Sequence, residues 1–134
     1  MKRAAPQGGF TMIELIVVIV ILGILAAAAL PRFIDMRTEA QQAAVDGVAG
    51  AAAAAMKLNF SGCSLTAHSV SAAKCATVDN CDDVGGLLQG GLPAGYTVAA
   101  LGVAVTTNSS VMSCAVSRTA GGLTAAFDGI AAGN

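Results

Sequence analysis

Polarity along the chain changes in three steps. After a short start holding Lys2 and Arg3, the run from Leu15 to Leu30 has no charged residue. Adding Phe10 to Glu14 brings it to the roughly 20 residues needed to cross a bilayer, so a membrane-spanning helix is expected over residues 10–30. From Arg32 to Leu58 the pattern becomes amphipathic. At about 100° per residue, Arg32, Asp35, Glu39, Asp46 and Lys57 share one side, and Ile34, Val45, Val48, Ala52 and Met56 fall roughly opposite. Between them Ala43, Gly47, Ala51 and Ala55 form a ridge of small side chains that another helix or a strand could approach closely. One long helix is therefore expected, with residues 31–58 as the spine of a head.

Past the spine the period is lost. Asn59-Phe60-Ser61-Gly62 reads as the helix end, and residues 59–80 as a polar loop. Asp79 and Asn80, ahead of Cys81-Asp82-Asp83-Val84, resemble a helix start, because a cap accepts backbone N–H bonds and acids favour the positive end of the dipole. A short helix to about Leu88 should follow. After the break at Gly90-Gly91-Leu92-Pro93-Ala94-Gly95, Val, Thr and Gly become frequent, and strands are expected near 96–107, 111–118 and 123–130. An antiparallel meander across the helical spine makes the fold α+β.

Composition narrows this further. The chain has 134 residues, 55% hydrophobic and 11% charged, which suits one small domain plus a membrane segment. Seven basic side chains face eight acidic ones, and a leader carrying away Lys2 and Arg3 would tilt the balance further toward acid. Nonspecific nucleic-acid binding, which needs a basic surface, is not expected. With no Trp, one Tyr and four Phe, the head can build only a thin core. Cys63, Cys75, Cys81 and Cys114 all fall in the head and read as staples. Of the three pairings they allow, Cys63 with Cys75 would close the loop after the spine, and Cys81 with Cys114 would tie the short helix to the sheet. That pairing is favoured. Each bridge is worth roughly 2–4 kcal/mol. No CxxC pair is present and His68 is the sole histidine, so no metal site is expected.

His68 reads as a solvated loop residue. No GxSxG element, phosphate-cradling loop or paired-acid arrangement is visible, so neither catalysis nor a cofactor is expected. Asn59-Phe60-Ser61 and Asn108-Ser109-Ser110 match the glycosylation sequon by letter only.

The start of the apolar run carries the distinctive chemistry. A carboxylate such as Glu14 costs roughly 2.5–3.5 kcal/mol at mid-membrane and less near an end. A capping box with Thr11 would offset part of that. So would a cation, and a cut just before Phe10 would create one as a free α-amino group. Lys2 and Arg3 also fit the n-region of an ordinary signal peptide, but the apolar run exceeds the roughly 7–15 residues of its h-region. By the positive-inside rule they stay cytoplasmic and everything after Leu30 crosses, into the periplasm of a bacterium.

Gly8-Gly9-Phe10-Thr11-Met12-Ile13-Glu14 resembles the class III signal of type IV prepilins. The resemblance is strongest from Lys2 to about Met36 and fades beyond Leu58. It implies a pilin fold in four parts: a cleaved leader (1–9), a transmembrane half-helix (10–30), an amphipathic half-helix (31–58) and a disulfide-bonded loop and sheet (59–134). It further implies cleavage between Gly9 and Phe10 by prepilin peptidase, N-methylation of Phe10, and pairing of Glu14 with the Phe10 amine of a neighbouring subunit. Residues 23–31, between Gly23 and Pro31, would unwind locally in a filament, whereas the isolated subunit should keep a continuous, modestly kinked helix. The implied partners are other copies of the chain, minor pilins, the inner-membrane assembly platform and, before assembly, membrane lipid. The resulting reading is a structural subunit of a type IV pilus, serving adhesion or motility. Its alternatives are a pseudopilin of a type II secretion system and, from another class, a single-span anchor for a periplasmic binding domain.

Overall fold

A computed structural model describes residues 9–134, apart from the side chains of Ile34 and Asp35. Residues 1–8, most of the expected leader, lie outside the described part. The elements are helix α1 (Met12–Leu65), helix α2 (Val84–Leu87) and strands β1 (Tyr96–Val98), β2 (Val111–Arg118) and β3 (Thr124–Ile130). The chain forms two compact units, Met1–Thr38 and Glu39–Asn134.

From Met12 on, the described part of the first unit is helix. From Phe10 to Phe33 every large apolar side chain is at least 47% exposed. An 18-residue stretch has a mean hydropathy of 3.0, so the helix is long and apolar enough to cross a membrane. Gly23 and Pro31 both lie inside it, and the helix is unbroken at either.

In the second unit α1 buries Val45, Ala49, Ala52 and Met56, positions three and four apart that make one face. Val45 and Met56 are fully buried, while Arg32, Glu39, Asp46 and Lys57 are exposed. The helix does not end at Asn59-Phe60-Ser61-Gly62 but runs on to Leu65. Asn59, Ser61 and Gly62, which read as a stop, are each accommodated. The Ser61 and Ser64 hydroxyls donate back to the Lys57 and Phe60 carbonyls, both at 2.9 Å. The Asn59 amide donates to the Ala76 carbonyl and accepts from the Ala76 N–H, as a backbone group would. Gly62 faces the Lys74 carbonyl so closely that a Cβ would stand 1.9 Å from its oxygen. The chain then leaves through Ala67 and His68, both with positive φ, as the His68 N–H donates to the Cys63 carbonyl at 2.7 Å.

The sheet is an antiparallel meander in the order β1-β2-β3. Val98 pairs with Val116, and Cys114 with Phe127. Along β2, Met112, Cys114 and Val116 are buried and alternate with exposed Val111, Ser113 and Ala115, the period-2 pattern of a sheet with one face on a core. Gly129 on β3 makes room for this packing, since a Cβ there would lie 2.8 Å from the Met56 sulfur. Among the described residues Phe127 is the one buried aromatic of the main core, with half-buried Tyr96 packed against it, and the other buried members are Val, Met, Ala and Cys.

Two expected elements are shorter than their sequence suggests. Strand β1 stops at Val98 instead of running to 107. The amides that would have continued it are taken elsewhere, Leu101 N–H by the Asn80 side chain and Val105 N–H by the Asp79 carbonyl. Helix α2 is a single turn, with Asp83 at its N-cap and no side-chain capping bond. Asp79 and Asn80 do not cap it. The bonding runs the other way, with the Asp83 carboxylate accepting from the Asp79 and Asn80 N–H groups at 3.0 and 2.8 Å.

Candidate processing and assembly site

The site is built where irregular backbone gives way to helix. Gly9, Phe10 and Thr11 precede the first turn of α1 and all are exposed, Phe10 at 92%. A Cβ built on Gly9 meets nothing within 4 Å, so the Gly9–Phe10 peptide bond is open to approach. Just beyond it the chain closes a reciprocal cap. The Glu14 carboxylate accepts from the Thr11 N–H and the Thr11 hydroxyl, each at 2.9 Å, and the Glu14 N–H donates to the Thr11 oxygen at 3.3 Å.

The capping box is therefore formed in this subunit. It places a negative group at the positive end of the helix dipole. Among the described residues no cation pairs with Glu14. While residues 1–9 remain attached, the Phe10 nitrogen is a neutral amide and cannot supply one.

The four cysteines form two disulfides, Cys63–Cys75 and Cys81–Cys114, and none is free. Cys81–Cys114 joins the turn before α2 to the middle of the sheet, inside the main core. Cys63–Cys75 lies in a second, smaller cluster with Ala132 and part-buried Phe60. Next to it, Val78 and Ala132 exchange backbone bonds of 2.8 and 3.0 Å.

His68 is not a solvated loop residue. It is half-buried, its ring lies 5.6 Å from that of Phe60, and its Nδ1 accepts from the Gly133 N–H at 3.5 Å. Both sequon asparagines spend their amides on structure, Asn59 on Ala76 and Asn108 on the Asn134 backbone at 2.9 and 3.0 Å. Among the described residues no group of three His, Cys, Asp or Glu side chains is arranged to hold a metal.

Asn59, Asn80 and Asn108 stand in for backbone pairing, with Ala76, Leu101 and Asn134 respectively. In the sequence Asn59 reads as a helix stop, Asn80 as part of a helix start and Asn108 as a sequon letter, and none of these patterns names the distant backbone group each one meets.

A motif described as the prokaryotic N-terminal methylation motif matches residues 5–30. Over 106 residues the chain is 38% identical to the type IV narrow pilus major component PilA5 of Thermus thermophilus, covering 79% of this chain and 77% of that one. Over 41 residues it is 54% identical to the type IV major alpha-pilin of Moraxella bovis, covering 31% and 26% of the two chains. No solved structure matches the chain. With a long N-terminal helix on a three-stranded antiparallel head, and a relative aligned over more than three quarters of both lengths, the chain belongs to the type IV pilins as a pilin structural subunit.

Proposed function

We propose that the chain is made as an inner-membrane precursor, cut between Gly9 and Phe10 by prepilin peptidase, N-methylated on Phe10 and polymerised through α1 into a surface pilus for adhesion or motility. The observation that carries this is the order of features at the start of α1: an exposed Gly9–Phe10 bond, a capped Glu14, then an apolar helix with no cover of its own. A one-time cut at that bond turns the neutral Phe10 amide into a cation two residues before the helix. A neighbouring Glu14, already ordered by Thr11, is then a natural counter-ion. Opposite charges held in an apolar setting satisfy each other in one register only, so the pair would also set the axial position of each incoming subunit.

On this reading the leader is residues 1–9, residues 10–30 hold the precursor in the inner membrane, and the head waits in the periplasm, where its two disulfides form. Minor pilins and the inner-membrane assembly platform act on it from outside. One relative is named as a pilus major component and the other as a major pilin, which favours a pilus over a secretion pseudopilus.

The test is to shear filaments from cells that produce the chain and probe both fractions. The subunit is expected in the sheared filaments. If all of it stays in the inner membrane, the pilus reading fails.

A further inference from the structure

The meander of the head has two outer edges, and hydrogen bonding decides which backbone groups each one presents. The Arg118 N–H donates to the Leu123 carbonyl and the Ala131 N–H to the Ser110 carbonyl, so the odd-numbered residues of β3 face β2. The backbone groups of Thr124, Ala126, Asp128 and Ile130 therefore point away from the sheet. On β1 the bond from the Thr119 N–H to the Gly95 carbonyl turns the groups of Tyr96 and Val98 outward by the same rule.

Two of these outward groups have partners within the chain. The Thr124 carbonyl accepts from the Gln42 side chain at 3.1 Å, and the Tyr96 N–H donates to the Pro93 carbonyl at 3.1 Å. Among the described residues nothing bonds to the backbone of Ala126, Asp128 or Ile130, to the Tyr96 carbonyl, or to either backbone group of Val98. Edges that must stay unpaired are commonly blunted by proline, bulges or repeated charge. Neither strand holds a proline, both registers are unbroken, and Asp128 is the one charge between them.

In a meander β1 and β3 run in the same direction. A second copy set beside the first in the same orientation thus brings its β1 to the first copy's β3 as a parallel pair, with both core faces on one side. We propose that β1 of one copy adds to the β3 edge of the next, with Val98 opposite Phe127. In that register the Val98 N–H donates to the Ala126 carbonyl, the Val98 carbonyl accepts from the Asp128 N–H, and the Tyr96 carbonyl accepts from the Ala126 N–H. The two outward groups already engaged, the Tyr96 N–H and the Thr124 carbonyl, fall opposite each other, so neither faces a free group. Side chains agree as well. Val98 and Phe127 both lie on the core face, and Thr97 and Ala126 both on the exposed one.

Other registers fit worse. A slip of one residue turns the core face of one sheet against the exposed face of the other. A slip of two sets the engaged Tyr96 N–H against the free Ala126 carbonyl in one direction, and the free Val98 N–H against the engaged Thr124 carbonyl in the other. Two-fold pairing of β3 with β3 would stop at two copies and leave the β1 edge bare. Adding β1 to β3 repeats from copy to copy in one direction, as a filament requires, and the inference rests on that filament reading.

The test uses the full chain in cells that display its filaments. Thr97 and Ala126 of adjoining copies stand side by side in this register, at a spacing a disulfide can bridge. Mild oxidation of sheared filaments of Thr97→Cys/Ala126→Cys is expected to give a ladder of dimers and higher multimers that neither single variant gives. Intact filaments without that ladder, or a dimer from either single variant, overturn the proposal and leave the filament reading in place. If the double variant does not assemble, Ala126→Pro and Ala126→Thr decide the matter. Proline removes an N–H that points away from β2, so the head keeps its own ladder, whereas threonine retains that N–H. Sheared filament is expected to fall about tenfold for Ala126→Pro and to stay at the wild-type level for Ala126→Thr. Equal yields from the two variants overturn the proposal. Absence of the wild-type chain from sheared filaments is a failure of the filament reading itself.

Discussion

The Glu14 carboxylate lies 2.9 Å from the Thr11 N–H and 2.9 Å from the Thr11 hydroxyl, and it is held there by its own helix before any partner arrives. Two roles are thus stacked on one side chain. As a cap it uses the hydrogen-bonding capacity of an oxygen. In the proposed assembly step it also uses a charge.

Glu14→Gln separates them. The amide oxygen can still accept from Thr11, so the first turn persists, but the charge is gone. Membrane insertion and processing are expected to continue, while sheared filament falls by about tenfold or more, the loss of a partly buried charge pair. Wild-type filament yield from Glu14→Gln would remove the charge from the mechanism and leave the cap alone.

Gly9→Val tests the junction. The open space around Gly9 admits the side chain sterically, so the precursor should reach the membrane in normal amount. Prepilin peptidase is expected to reject it, leaving every molecule at precursor mass by mass spectrometry. Processing of Gly9→Val at the wild-type rate would move the cut elsewhere.

Helix, sheet and staple positions were legible because each rests on a strong local signal. The uncharged run from Leu15 to Leu30 and the spaced Val45, Ala52 and Met56 needed only period and polarity, and the strand over Val111–Arg118 only a Val-, Thr- and Gly-rich stretch broken by turn residues. What stayed hidden depends on partners far along the chain. Asn59 and Gly62 look like a stop until Ala76 and Lys74 come alongside. The segment from 99 to 107 looks like strand until Asn80 and Asp79 claim its amides. The capping box at Thr11 and Glu14 was readable because its two residues are three apart.

Two helix glycines should respond oppositely to alanine. At Gly62 the new Cβ would meet the Lys74 carbonyl oxygen at 1.9 Å, so Gly62→Ala is expected to destabilise the head by about 1–3 kcal/mol. At Gly50 nothing lies within 4 Å, and Gly50→Ala is expected to stabilise by about 0.5–1 kcal/mol. Denaturant titration of the detergent-solubilised chain measures both. Equal shifts would mean that α1 does not press against residues 74–76.

The two disulfides should differ in reach. Removing Cys81–Cys114 with serines takes a link from the main core and is expected to cost roughly 2–4 kcal/mol across the whole head. Removing Cys63–Cys75 touches the smaller cluster, so faster hydrogen exchange should be confined to the last turns of α1 and residues 66–78. Exchange that spreads to β2 and β3 in the second variant would show that the clusters are one cooperative unit.

The central claim is that a cut before Phe10 makes the subunit competent to assemble, and the N-terminus of the assembled chain tests it most directly. Mass spectrometry of sheared filaments is expected to find a mature chain that begins with N-methylated Phe10 and lacks residues 1–9. Filaments built from chains that still carry Gly9, or that begin after Glu14, would contradict the account.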